Sequence, residues 1–323
     1  MVTPDALALT SAWVAAQQEE SGAIPWYSGG HLDPWDHVQA AMGLLASGRR
    51  GAAERGYRWS ASAQRSDGTW AAKYVAGEAV EHYVDANFTA YLATGAWHHW
   101  LTTRDEAFAR ELWPTVDAAI EAVLPLQRAD GAFVWTPGEP DALVTGNASI
   151  AFSLRCAGAV ARVVGADRPA WADAAAAVAD ALRRPELFEA KPHSMDWYYP
   201  LLGAAWTADD VERRVKDGWD TFVVPGLGIK CVTPNTWVTG AESCELALAL
   251  DAVGRHEDAL QVFADMQHLR HEDGSYWTGF EYESEQRWPD ERTTWTAATV
   301  LLAHDALHGV TRGSGLFRGE GLA

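Results

Sequence analysis

Two short stretches of the sequence place a carboxylate at the start of an apolar segment. "DPWDHVQAAMGLLASG" opens on Asp33 and Asp36, and "GAESCELALALDAVG" carries Glu242. Asp36 precedes Gly48 by twelve residues and Glu242 precedes Gly254 by twelve, and glycine is favoured just past a helix end. At about 1.5 Å per residue, both acids stand at one height, roughly 18 Å from the far ends of their helices. A third acid, Glu291 in "WPDERTTWTAA", precedes another such segment. Polar candidates nearby are Asp33, His37, Asp85, Asn87 and Asp196. Aromatic candidates are Trp26, Trp35, Trp197, Tyr198, Trp237 and Trp288. Indole and phenol faces pack on the C–H faces of sugar rings, and carboxylates and amides bind hydroxyls. Two acids can then divide the acid and base work at a glycosidic bond. The expected catalytic residues are Asp36 and Glu242 as first pair, with Glu291 next. The other residues named are expected to contact substrate.

Structural roles compete for several of these positions. Asp33 followed by Pro34 reads as a helix cap, as does Asp85 in "DANFTAY". Glu242 could be a buried acid paired with Lys230 or Arg292, and Glu291 a first-turn acid favoured by the helix dipole.

The elements that must position these residues alternate in type. Charged amphipathic segments run over 7–20, 51–65, 107–127, 170–182, 208–218 and 257–269. More apolar ones run over 35–47, 85–102, 146–164, 194–206, 237–253 and 292–308. Six outer helices alternating with six buried inner ones predict an all-α fold, an (α/α)6 toroid, as a single domain over 1–323. Strand signals are confined to 222–233 and 274–282. A phrase recurs as "QRSDGTW" from Gln64, "QRADGAFVW" from Gln127 and "QHLRHEDGSYW" from Gln267, with a looser form, "QQEESGAIPW", at 17–26. Each ends an outer helix and turns toward an inner one. The turns therefore gather on one face, at the N-termini of the inner helices.

Composition narrows the partners. The net charge of -19 argues against nucleic acid and anionic membrane. Three cysteines without a CxxC spacing fit a reducing compartment. No signal peptide or apolar span is visible, so a cytoplasmic location is expected. The adjacent histidines of "WHHW" make a poor chelate, and "PGLGIK" lacks phosphate-loop spacing. No metal and no cofactor is expected, and the partner is an oligosaccharide or polysaccharide.

Three resemblances bear on function. "RGYRWSASAQRSDGTW" resembles the Gln-Trp repeat of terpene cyclases, although the acidic DxDD motif of those enzymes has no counterpart here. "FARELWPTVDAAIEAVLPLQRADGAFVW" and "RWPDERTTWTAATVLLA" resemble segments of bacterial glucoamylase- and trehalase-like (α/α)6 glycosidases. That resemblance implies Glu291 as general base. It also implies a general acid in the third hairpin, where this chain has Thr136 after Trp135 and Glu139 as the nearest acid. The chain as a whole resembles a group of actinobacterial proteins of this size that includes α-endomannosidases of methylmannose polysaccharide. The expectation is a glycoside hydrolase acting on an α-linked oligo- or polysaccharide. The alternatives are a terpene cyclase or prenyltransferase-like protein, and a non-catalytic glycan-binding protein.

Overall fold

A computed structural model describes residues 2–203 and 206–322. Six hairpins follow one another, each an outer helix and then an inner one. They pair α1 (Pro4–Gln17) with α2 (Pro34–Ala46), and α3 (Arg50–Ala63) with α4 (Ala86–Ala90) and α5 (Leu92–Thr103). Next come α6 (Glu106–Val123) with α7 (Val144–Val164), and α8 (Pro169–Ala181) with α9 (Ser194–Tyr198). The last are α10 (Ala208–Phe222) with α11 (Gly240–Ala252), and α12 (His256–Asp265) with α13 (Thr294–His308). The inner helices touch in the order α2, α5, α7, the segment after α9, α11, α13 and back to α2, so the inner ring closes. The expected (α/α)6 toroid is the observed fold.

Local chemistry sets the departures from expectation. The predicted helix over 194–206 gives way to a 3-10 turn at Tyr199–Leu201, where Pro200 has no N–H to continue the ladder. Its Ala204 and Ala205 lie outside the described residues. The predicted helix over 237–253 starts only at Gly240, because Trp237–Thr239 pairs as a strand with Gly279–Glu281.

Among the described residues, eight short strands form two antiparallel sheets. One holds β1 (His31–Leu32), β2 (Lys73–Val75) and β3 (Glu78–Glu81), none of which the sequence signalled. The other holds β4 (Val223–Val224), β5 (Gly228–Lys230), β6 (Trp237–Thr239), β7 (Gly279–Glu281) and β8 (Gln286–Arg287). Every strand lies in a loop running from an outer to an inner helix. Both sheets therefore build up the rim at the N-terminal ends of the inner ring.

The repeated phrase is a staple between outer helices. The Gln64 side-chain amide donates to the carbonyls of Gly68 and Thr115, each at 2.9 Å. Gln127 does the same to Gly131 and Ala174, and Gln18 to Gly22 and Ala52. The turn glycine of each copy sits on the backbone of the following outer helix. At Gly68 (φ +87°) a Cβ would collide with the carbonyl of Ala118, and at Gly131 (φ +94°) with that of Ala177. Gly274 meets Leu9 in the same way and joins the last hairpin to the first. The Gln-Trp likeness to cyclases thus reflects how neighbouring hairpins are tied, not a shared chemistry.

The apolar core lies between the two rings. Tyr57, Trp171, Tyr276, Ile120 and Met42 are among its fully buried side chains. At the seam Gly43 packs directly on Ala298, bringing α2 and α13 together at backbone distance. No helix among the described residues is long and apolar enough to cross a membrane.

Candidate active site

The first wall of the bowl is α2. Asp33 is its N-cap and Pro34 its first residue, as the spacing predicts; Asp33 Oδ1 accepts from the Asp36 amide at 2.9 Å. That cap fixes the first turn and turns the Asp36 side chain toward the ring centre. The Trp26 indole Nε1 donates to Asp36 Oδ2 at 2.6 Å and to Asp33 Oδ2 at 3.3 Å. Burial, and then the neighbouring Asp33 carboxylate, hold Asp36 well above the usual carboxylate range; the indole bond opposes them. Asp36 is therefore biased toward its proton-bearing form, the state a general acid needs.

Two places round the inner ring, beyond α13, is α11, where Glu242 is the third residue, as Asp36 is of α2. The sixth residues of the two helices, Gln39 and Glu245, touch: Gln39 Nε2 donates to Glu245 Oε1 at 3.0 Å. Residues three apart share a helix face, so this bridge fixes the level of both helices. Asp36 and Glu242 stand one turn above it, about 4.5 Å toward the mouth. The bridge between the sixth residues agrees with the equal height inferred from the two terminal glycines. The ends agree as well, with Gly48 at φ +82° and Gly254 at φ +83°.

Glu245 is a site residue that the sequence reading missed. It is 1% exposed and accepts from the Tyr198 hydroxyl at 2.6 Å. Burial pushes its carboxyl up to about 8, with the nearby Glu242 charge adding to the shift. The signal was present in "GAESCELALALDAVG", three residues after Glu242 and hence on the same face. Tyr198, expected to face sugar, is instead fully buried and orients Glu245 beneath the floor. The Cys231 thiol lies against Glu242, and burial followed by that charge drives the thiol upward.

A second group of candidates lies toward α4, α7 and α9. Asp85 caps α4, accepting from the amides of Asn87 and Phe88 at 2.8 and 3.0 Å through Oδ1. Burial raises its carboxyl to about 6 against those bonds. Asp196 Oδ1 accepts from the amide and hydroxyl of Thr145 at 3.1 and 2.5 Å. Asp85, Asn87, Asp196 and Trp35 line a cavity of about 200 Å³ that continues from the α2 wall. Trp35 packs on Phe88, Tyr91 and Tyr199, with ring centres 5.3 to 6.1 Å apart.

Glu291 lies half-buried at the rim, its carbonyl accepting from the Thr278 amide at 3.2 Å, and burial raises its carboxyl. Beside it Trp237 and Trp288 meet edge to face at 4.9 Å, with Trp288 56% exposed. Trp135 and Tyr83 form a similar edge-to-face pair at 5.7 Å, before the third and second inner helices. Neither belonged to the expected contact set. Glu139 is exposed on its loop.

Two expected contacts point the wrong way. His37 follows Asp36 by one residue, about 100° round the helix, and enters the layer between α2 and α3. Its Nδ1 accepts from the Ile24 amide at 3.1 Å and its Nε2 faces the Gly56 carbonyl at 2.9 Å. Burial pushes its pKa down to about 4, so it is a neutral strut. Trp197 likewise faces outward. It stacks on Phe222 at 5.6 Å and donates to the Arg214 carbonyl at 2.7 Å. Among the described residues, no three His, Cys, Asp or Glu side chains are grouped to hold a metal ion.

No protein-family model matches the chain. An MMP endo-(1,4)-3-O-methyl-α-D-mannosidase from Mycolicibacterium hassiacum is 47% identical over 328 residues, covering 100% of this chain and 91% of that protein. Solved structures share the fold at low identity. A glycosidase variant in complex with glucose has a TM-score of 0.76 at 15% identity, covering 95% of this chain and 97% of its own. A GH63 mannosylglycerate hydrolase from Thermus thermophilus has a TM-score of 0.73 at 13% identity, covering 91% and 99%. With a relative 47% identical over the whole of this chain, the chain belongs to the family of that endo-mannosidase and is a glycoside hydrolase.

Proposed function

We propose that the chain is an endo-acting α-mannosidase cleaving a partly O-methylated, (1→4)-linked mannose polysaccharide, as the name of its 47% identical relative suggests. The observation that carries the assignment of roles is the matched register of Asp36 and Glu242. One has surroundings that keep a proton; the other stands one turn above a carboxyl that is itself biased toward neutrality. Asp36 gives its proton to the glycosidic oxygen as the C–O bond breaks. Glu242 takes the proton of the water that adds to the anomeric carbon, or attacks that carbon directly. Glu291 is the reserve for the second role. Trp26 holds Asp36, and Trp35, Trp237 and Trp288 offer faces to sugar rings.

The chain acts as one domain, without nucleic-acid or membrane partners. The free cysteines Cys156, Cys231 and Cys244 suit a cytoplasmic address. Incubating the enzyme with a methylated α-(1→4)-mannan and sizing the products tests the reading. Interior cleavage yields a ladder of shorter chains from the earliest time points; release of single sugars only, or no cleavage, overturns it.

A further inference from the structure

The cavity of about 200 Å³ that Trp35, the chain neighbour of Asp36, helps to line mixes polar and apolar side chains. Part of its lining is polar. Asp85 uses only Oδ1 for its cap, while Asn87 Oδ1 and Asp196 Oδ2 are buried with no hydrogen-bond partner. Its apolar lining includes Leu143, Ile150, Met195 and Phe88. Leu143, Met195 and Phe88 are half-buried; Ile150 is almost fully covered.

An ordinary mannose ring suits only half of this surface. Hydroxyls directed at the carboxylates and the amide find acceptors. A hydroxyl directed at Leu143 and Met195 would give up its water and find no partner, and an unmet donor is costly. Replacing that O–H by O–CH₃ removes the donor and adds a methyl group that the apolar lining can cover. We infer that this cavity is a specificity subsite for an O-methylated mannose unit, with the methyl ether seated against Leu143 and Met195 and the free hydroxyls on Asp85, Asn87 and Asp196. The inference rests on the mannosidase reading above and deepens it. It assigns the recognition of methylation to the α4, α7 and α9 side of the bowl, away from Glu242.

The test compares α-(1→4)-mannooligosaccharides of equal length, with and without 3-O-methyl groups, by kcat/KM. One methyl group in an apolar pocket discriminates by about tenfold or more, so the wild-type enzyme should prefer the methylated chain by at least that ratio. Met195→Gln and Leu143→Asn should each pull the ratio toward one, chiefly through loss on the methylated substrate. A wild-type ratio near one overturns the inference, as does an unchanged ratio in both variants. Calorimetric binding of the two oligosaccharides to Glu242→Gln gives the same comparison should either pocket variant fail to fold, and equal affinities there also overturn it. Failure of the wild type to cleave either sugar would instead remove the mannosidase reading on which the inference stands.

Discussion

The walls α2 and α11 have the same length, carry an acid at the third residue and a hydrogen-bonding side chain at the sixth, and are tied at that sixth level. Their surroundings differ. On α2 the acid has a second carboxylate beside it and an indole N–H on it. On α11 the acid has a thiol against it and, one turn deeper, a carboxyl pinned by Tyr198 and Gln39. Backbone register decides where a carboxylate stands; its neighbours decide whether it arrives with a proton.

The comparison is broken most directly by removing one acid at a time. Asp36→Asn and Glu242→Gln should each lower kcat by roughly a thousandfold, within the range for a lost general acid or base. Far-UV circular dichroism should stay unchanged. The pH profiles should then separate the roles. Wild-type activity needs protonated Asp36 and falls on the alkaline side as that proton leaves; residual activity of Asp36→Asn should lack this limb. Retention of near-normal turnover by Glu242→Gln would move its role to Glu291, and retention by Asp36→Asn would remove Asp36 as the acid.

Glu245 sharpens the comparison through stability. Burial raises its carboxyl from 4.5 to about 8 in the folded chain. The folded state therefore holds a proton that the unfolded state gives up earlier. The favourable term is complete below about pH 4.5 and is lost as pH rises toward and through 8. Thermal unfolding of the wild type should therefore lose ground across that window, and Glu245→Gln should lose less of it. Parallel curves for the two proteins would mean that Glu245 ionises freely and that its place under Glu242 has no electrostatic consequence.

The fold was legible because it repeats. Twelve segments of alternating polarity and a recurring Gln-to-Gly turn leave few ways to close a chain. The equal spacing from Asp36 to Gly48 and from Glu242 to Gly254 was legible for the same reason. What failed was phase. His37 and Trp197 were grouped with the site because they sit in first turns, yet position along a helix says nothing of the direction faced. Advancing one residue from Asp36 turns His37 out of the bowl and into the α3 layer. Glu245 failed in the opposite sense, hidden in an apolar run although the three-residue step from Glu242 put it on the same helix face. The strands β1 to β3 are too short for period-two alternation to register.

His37 provides an intermediate test of that lesson. His37→Ala leaves the Ile24 amide and the Gly56 carbonyl without their partner, and an unmet buried group costs about 1–3 kcal/mol. A lower melting temperature with KM unchanged is expected. A raised KM at an unchanged melting temperature would return the imidazole to the substrate.

The smallest effects are the most specific to α2, because two neighbours of Asp36 push it in opposite directions. The Asp33 carboxylate raises Asp36, and the Trp26 N–H lowers it by bonding its anion. Asp33→Asn keeps a good N-cap and removes the charge, so Asp36 should lose its proton earlier and the alkaline limb should move to lower pH. Trp26→Phe removes the donor while keeping an aromatic ring, so the limb should move to higher pH. Opposite displacements of one limb, with kcat at the optimum altered far less than in Asp36→Asn, are what a titrating acid flanked by these two groups must give. Displacement in the same direction would mean that the limb belongs to another carboxyl. The first to examine would be Asp85, which burial raises to about 6 in the neighbouring cavity.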